Sequence, residues 1–532
     1  MKENHMQTFT ETGPIVKLAD VTGSPYNLSI ATARTCYSSR GIITPLKVSE
    51  NPELRDKIAK STLKAGHLTT RQHSRFVFTL DRVSRHLVWS FLHSHPFYNS
   101  EQVSQRYVAI KEGEFYIPPS LQVPGRERAL KIYQEAVHHC MQSYNEITEQ
   151  LKPIVAQEYF RIFPARSKKP EKFESSIHKK AMEAARYIIP VSAYTYLYHT
   201  VDGLTLHRYR RLCKSYDVPE ETFHLVEAMY RAASEADPLF TGEFQDPLPL
   251  EETLEYKFFT GFYETSDSFL MDKTSAENFI KEFDEDLNHN RSILVSHGGN
   301  DALFALAFRS VLGISRNEIS DEDAIRNILD PAFNPRIASV LNESTMTRLM
   351  RSMYHIHYTF KKKISHTADS QDQRHRTVPG SRPFLMRHFT GKPDYITPDL
   401  IADSPSVNQY YEESMDKLFR LISDFIDAGG SEEAVYLLPN AFPVRFYESG
   451  DLLNLHHKWK TRLCYTAQEE IFNASLDEVK QVSRIHPIIG KFLYAPCKIR
   501  HDGGIKPSCP EGDRFCGVRV WEKTLDEYQR LL

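Results

Sequence analysis

From Arg75 to Ser84 the chain alternates. Phe76, Phe78 and Leu80 are apolar and the residues between them are mostly polar, which predicts a half-buried strand. Over 125–162 the period changes. Leu130, Ile132, Tyr133, Ala136, Val137, Cys140 and Met141 recur near every 3.6 residues, which predicts a long amphipathic helix. The segment IATARTCYSS reads as helix and AIKEGEFYIPPS as an extended, proline-bounded stretch. RSKKPEKFESS (166–176) is charged and contains proline, and reads as a loop. A helix then runs to Pro190, followed by a strand over Ala193–Thr200 and more helix. Further on, DEDLNHNRS and TADSQDQRHRTVPGSRP (367–383) read as loops, and Tyr410–Ile426 as a second long amphipathic helix. No low-complexity segment or coiled-coil heptad run interrupts the pattern.

The pattern is written twice. VSRHLVWSFLHSH followed by NSEQVSQRYV is echoed by ISHTADSQDQRHR followed by TVPGSRPF. AARYIIPVSAYTYLYHTVDGLTLHRYRRLC is echoed by EAVYLLPNAFPVRFYESGDLLNLHHKWKTRLC. Such self-similarity points to one duplicated unit, with a first repeat over 1–250 and a second over 251–532.

At 532 residues the chain exceeds a single core. A net charge of -3 gives no global basic field for nucleic acid or an anionic membrane. The opening MKENHMQTFTETG lacks an apolar leader, and no run approaches the ~18 apolar residues of a membrane span. Seven cysteines, an odd number in so long a chain, do not form a disulfide framework, so a reducing, cytoplasmic setting is expected.

Candidate chemistry gathers in three places. Arg374-His375-Arg376 sits in a polar loop, where paired guanidinium donors suit phosphate or carboxylate; the competing reading is a solvated charge cluster. Glu101, Ser104, Arg106 and Tyr107 mix acceptor, hydroxyl, guanidinium and phenol, a set able to read a polar heterocycle and a phosphate. The competing reading is a helix start capped by Asn99 or Ser100. Arg462 stands just before Cys464 and the run AQEEI, in either a functional or an ion-pairing role. His355 and His357 alternate as on a strand face and suit a structural or stacking role. Cys497, Cys509 and Cys516 lie close together among glycines and prolines. Zinc takes four tetrahedral ligands, and the fourth could be Cys464 or His501. Dinucleotide-binding glycine fingerprints, a phosphate-binding P-loop and a nucleophile elbow are all missing from the sequence.

These motifs together resemble the flavin-dependent thymidylate synthases (ThyX family). The first half resembles the family in GHLTTRQHSRFVFTLDRVSR, NSEQVSQRYV and ARYIIP, and the second in SQDQRHR, YLLPNAFPVR and RLCYTAQEEI. CPEGDRFCG is similar to the cysteine-bearing tail of some members. The departures alternate. His93-Ser94-His95 stands where the family has RHR, whereas the second half keeps Arg374-His375-Arg376 but lacks the E-x-S-x-R-Y run. Arg462 matches the uracil-activating arginine, where the first half has Cys213, or Arg211 after a two-residue deletion. Arg186 matches a nucleotide-contacting arginine that Val435 replaces, and Gln72 stands for a usual glutamate.

The resemblance implies an α+β fold of two tandem units, with long helices on mixed β-elements and a pseudo-twofold relation. It implies reductive methylation of dUMP to dTMP, with methylenetetrahydrofolate as carbon donor and NADPH reducing FAD. Catalytic roles fall to Arg462 and Arg374. His67, Gln72, Arg374, His375, Arg376, Asp451 and His457 fall to the cofactor, and Glu101, Ser104, Arg106, Arg186, Gln371 and Arg462 to the nucleotide. Cys464, Cys497, Cys509 and Cys516 would hold a structural zinc. A homodimer would equal the family tetramer, with composite sites dividing the motifs between the halves. The alternatives are a non-catalytic nucleotide- or flavin-binding paralogue and a flavoenzyme acting on another pyrimidine.

Overall fold

The structure is a computed structural model and describes residues 13–262 and 273–530. The first twelve residues, on which the reading of the N-terminus rests, lie outside the described residues. The path begins β1 (Ile15–Val21), α1 (Pro25–Thr35), β2 (Arg75–Ser84), α2 (Arg85–His93), β3 (Tyr98–Gln102), α3 (Glu127–Ile162) and α4 (Glu174–Ala185). It continues β4 (Tyr194–Asp202), α5 (Gly203–Leu212), α6 (Pro219–Ala236), α7 (Lys273–Leu287), β5 (Ser292–Gly298), β6 (His357–Ser365) and α8 (His366–Asp372). It closes with β7 (Gly380–Ser381), α9 (Pro405–Asp427), β8 (Pro443–Asp451), α10 (Leu452–Arg462), α11 (Glu469–Ile485) and α12 (Pro496–Asp502). Among the described residues no helix is long and apolar enough to cross a membrane.

The chain forms two compact units that are discontinuous in sequence. Unit 1 gathers the described residues of 1–141, 190–270 and 421–437, and unit 2 those of 142–189, 271–420 and 438–532. Each unit therefore takes a piece from the other half of the sequence.

The two units carry sheets of like strand order. Unit 1 holds a four-stranded sheet of order β1-β2-β4-β3, and unit 2 one of order β5-β6-β8-β7. Every strand pairing in both is antiparallel, so the expected mixed β-elements are antiparallel sheets. The first strand of each slips register at the same place, between Leu18 and Asp20 and between Leu294 and Ser296. α6 packs on β1 and β2 as α11 packs on β5 and β6.

Short polar residues set the helix starts. Ser84 and Ser365 cap α2 and α8 by accepting the amides of Leu87 (3.0 Å) and Ala368 (3.2 Å). Asp202 and Asp451 cap α5 and α10, accepting the amides of Thr205 (2.7 Å) and Asn454 (3.0 Å). One carboxylate per unit locks the serine in place. Glu221 accepts from the Ser84 amide and hydroxyl, both at 2.7 Å, and from the Tyr436 hydroxyl at 2.8 Å. Glu470 accepts from the Ser365 amide at 2.8 Å, from its hydroxyl and from Tyr187. The borrowed segments thus bring each unit its tyrosine.

Several sequence expectations change. TADSQD is helix (α8), not loop, because Ser365 caps it. DEDL closes α7, and only Asn288 and His289, at positive φ, turn the chain. RSKKPEKFESS folds into two 3-10 turns and the start of α4. Asn99 and Ser100 lie in strand β3 and start no helix. AIKEGEFYIPPS pairs only through the Phe115–Ala193 bridge. The long helices arrive as α3 and α9, and Phe76, Phe78 and Leu80 point into the unit 1 core.

The unit 2 core packs Tyr358, Phe360, Leu452, Leu455, Trp459, Phe472 and Val482 into one apolar cluster. This fixes α10 and α11 against the sheet, and with them the residues considered next.

Candidate active site

Arg462 ends α10. Its Nη2 donates to the Gln371 carbonyl at 2.5 Å, and its Nε lies 3.5 Å from the Asp372 carboxylate. Gln371 and Asp372 close α8, and Arg374-His375-Arg376 follows directly as the turn that leaves the helix. Two motifs far apart in sequence, RHR and the AQEEI arginine, therefore meet in unit 2. Arg374 is exposed and Arg376 half-buried. The His375 ring stands edge-on to His457 at 5.9 Å, and its Nε2 is buried without a hydrogen-bond partner in the protein. Burial, and next the Arg462 charge, hold His375 well below the usual imidazole range, so it is neutral at pH 7.

Beneath this corner lies a buried ionic cluster that the sequence reading missed. Lys458 of α10 contacts Asp372 at 2.7 Å and also Glu448 of β8. Lys362 of β6 meets Glu478 of α11 at 2.9 Å, Glu448 at 3.0 Å and Asp372 at 3.5 Å. Arg382 pairs with Asp369 of α8 at 2.8 Å. Glu478 also accepts from Trp459 Nε1 (2.7 Å) and Ser292 (3.0 Å). Lys362, Lys458, Arg382 and Arg462 balance Asp369, Asp372, Glu448 and Glu478. Burial alone would neutralise Asp372 and Glu448, but the lysines hold both carboxyls below their ordinary range. Strand phase was the available signal. Tyr358, Phe360 and Ile364 define the inward face of β6, and Lys362 falls on it.

Unit 1 solves the same packing problem without ions. Counting registers from Asp202 and Asp451, and from Ser84 and Ser365, Leu80 stands for Lys362 and Phe91 for Asp372. His199 stands for Glu448, Tyr209 for Lys458 and Cys213 for Arg462, and, counting from Glu221 and Glu470, Met229 stands for Glu478. Phe91, His199 and Tyr209 form a ring cluster, with Phe91 and Tyr209 centroids 4.1 Å apart and the Tyr209 hydroxyl 3.1 Å from His199 Nε2.

The other expected residues are placed within their own units. In unit 2, Asp451 is the α10 N-cap, which accounts for its conformation. His457 Nδ1 lies 3.1 Å from Asn342 Nδ2, and Arg186 is buried with its carbonyl accepting from Asn440 at 3.0 Å. Lys460 of α10 is pushed down to about 8 by burial, a second group the sequence did not flag. In unit 1, Glu101 lies in β3 opposite Tyr198, the Ser104 hydroxyl accepts the Arg106 amide at 3.3 Å, and the Arg106 guanidinium lies over Tyr107. His67 is exposed and Gln72 half-buried beside Arg71, which pairs with Glu243 at 2.6 Å. Unit 2 also holds an open cavity of about 660 Å³ lined by Arg161, Lys180, Tyr187, Asp399, Glu469 and Arg530, among others.

Residues 17–239 and 293–488 both match the family model described as thymidylate synthase complementing protein. The chain belongs to that family. One matched range lies in each half of the sequence, and the chain is about twice the length of the family relatives it matches. A flavin-dependent thymidylate synthase of Clostridium tetani is 30% identical over 200 residues, 37% of this chain and 74% of that protein. One from Geobacter sulfurreducens is 26% identical over 199 residues, 36% of this chain and 79% of that protein. One from Sulfurisphaera tokodaii is 28% identical over 156 residues, 28% of this chain and 58% of that protein. Among solved structures, the UMP/dUMP methylase PolB from Streptomyces cacaoi, bound with 5-Br dUMP, aligns at a TM-score of 0.30 and 19% identity. It covers 44% of this chain and 95% of that one.

Proposed function

We propose that the chain is a flavin-dependent thymidylate synthase that methylates dUMP reductively to dTMP, with methylenetetrahydrofolate and NADPH as co-substrates. The observation that carries this reading is the junction of Arg462 with the Gln371–Arg376 segment in unit 2. A fixed guanidinium beside a uracil carbonyl lowers the energy of charge developing on that oxygen. Paired to Asp372 and anchored on Gln371, Arg462 is held in one orientation.

The residues present fit a flavin. Arg374 and Arg376 offer forked donors to phosphate, and the orphaned Nε2 of neutral His375 offers a hydrogen-bonding group without added charge. When bound, FAD supplies the hydride that NADPH delivers to it. His457 would border the same ligand through its contact with His375. His67 and Gln72 carry flavin roles in this proposal, and Glu101, Ser104, Arg106 and Arg186 nucleotide roles.

The test is direct. Purified protein supplied with FAD is examined for a flavin spectrum, then given dUMP, methylenetetrahydrofolate and NADPH and assayed for dTMP. Bound flavin with dTMP supports the proposal. Bound flavin with a different methylated pyrimidine redirects it to another substrate, and failure to bind flavin rejects it.

A further inference from the structure

Four cysteines from separate stretches of unit 2 share one enclosed cavity of about 10 Å³. Cys464, Cys497, Cys509 and Cys516 line it together with Phe515 and Val520. The space holds about one small sphere. No disulfide joins any of the four. Cys464 lies two residues beyond Arg462, Cys497 is in the first turn of α12, and the other two are on the loop that follows. That loop turns back through Gly512 (φ 55) and Gly517 (φ 84), left-handed positions that suit glycine. His501, the other candidate from sequence, does not line the cavity. Its Nδ1 lies 3.3 Å from Ser508, and its ring stacks near Trp521.

As neutral thiols the four turn partly to local partners. Cys464 Sγ is 3.1 Å from Thr466 Oγ1, and Cys516 Sγ donates to the Val518 carbonyl at 3.7 Å. In this arrangement no three His, Cys, Asp or Glu side chains among the described residues form a metal-ligand set. Soft sulfur ligands, tetrahedral in number and enclosed, select zinc among common divalent ions.

We propose that Cys464, Cys497, Cys509 and Cys516 form a closed structural site for Zn²⁺. Binding exchanges four thiol protons, released to solvent, for four zinc–sulfur bonds and leaves the centre with two negative charges. Metal binding requires the Cys464 and Cys516 thiols to give up their contacts with Thr466 and Val518. With no open coordination position, the ion performs no chemistry. It staples the C-terminal tail to the residue pair after Arg462. The site stands independently of the proposed reaction, and its test does not use activity.

The full chain, expressed with zinc and purified without chelator, is measured for metal by elemental analysis. About one zinc per chain is expected, released by a mercurial thiol reagent. Protein stripped of metal and titrated with Co²⁺ is expected to show the intense charge-transfer and d–d bands of tetrahedral thiolate coordination. Cys509→Ser with Cys516→Ser removes both signals, while Cys36→Ser, at an exposed thiol in unit 1, keeps them. Wild-type protein without stoichiometric zinc and without the tetrahedral cobalt spectrum overturns the proposal, as does full metal content in the double variant.

Discussion

Lys458→Met removes one cation from the buried cluster and leaves Asp372 and Glu448 with Lys362 as their shared buried partner. Lys458 has no exposed side-chain surface and touches both carboxylates, Asp372 at 2.7 Å. Removing one member of such a group leaves an uncompensated buried charge, which costs about 3–5 kcal/mol. Unit 1 shows how to recover it. Introducing its residues together, Lys458→Tyr, Asp372→Phe and Glu448→His, replaces charge with packing, and such exchanges range from neutral to stabilising by roughly 1–4 kcal/mol. The triple variant is therefore expected to be more stable than the single one, yet inactive, because Arg462 has lost Asp372. The single variant's cost also depends on pH. The lysines hold Asp372 and Glu448 below their unfolded values, so their contribution is present above the ordinary carboxylate range and lost as pH falls through the depressed folded values. The loss from Lys458→Met should thus be large at pH 7 and shrink in acid. Urea unfolding followed by tryptophan fluorescence, which Trp459 reports from within the cluster, measures each variant. A cost below about 1 kcal/mol for the single variant, or a triple variant no more stable than it, would refute the reasoning.

Three further outcomes are expected. Arg462→Ala should lower dTMP formation by about 10²–10³-fold while leaving the flavin spectrum unchanged, and Arg462→Lys should recover only part of it, since the Gln371 and Asp372 contacts need the guanidinium fork; equal activity of wild type and Arg462→Ala would count against the assigned role. Arg374→Ala and Arg106→Ala, made separately, should each abolish turnover if both motifs serve one reaction, and full activity in either removes that motif from it. Burial, and next the Asp399 charge, raise Glu469 from 4.5 to about 8, so the folded state holds a proton that the unfolded state releases and stability falls as pH rises from 4.5 to about 8; Glu469→Gln should flatten that slope in denaturation midpoints taken at pH 5 and pH 8.5.

What was legible in the sequence was local. Phe76, Phe78 and Leu80 announced β2 through their period, and α3 through its apolar stripe. The sequence named Arg462 and Gln371 separately, and only the fold brings the Arg462 guanidinium to the Gln371 carbonyl. The helix α8 was hidden because Thr367 to Asp372 is polar and its cap, Ser365, belongs to the preceding strand. The ionic cluster was hidden for a different reason. Lys361-Lys362-Lys363 reads as a solvated run, and only the pairing of β6 with β8 sets Lys362 beside Glu448. The exchange of segments between the units was illegible too, because a hydrophobic helix does not say which core it enters.

The two units test, within one chain, what the buried charges are for. If the ions served only to fill space, a duplicated fold would have no need to keep them, since Phe91, Tyr209, His199, Leu80 and Met229 pack the same positions in unit 1. Buried ion pairs confer little net stability over such packing. What the ions provide and the rings do not is orientation. Asp372 fixes Arg462 from one side, Lys458 fixes Asp372, and the end of α8 carries Arg374, His375 and Arg376 away from that same anchor. In unit 1 the position of Arg462 is Cys213, the RHR triplet is His93-Ser94-His95, and the cluster is aromatic. All three changes coincide. Loss of the arginine removes the reason to hold a carboxylate there, and loss of the carboxylate removes the reason to bury a lysine. On the proposed function the ionic cluster would serve the unit 2 site, and its absence from unit 1 would follow from the absence of the groups it positions.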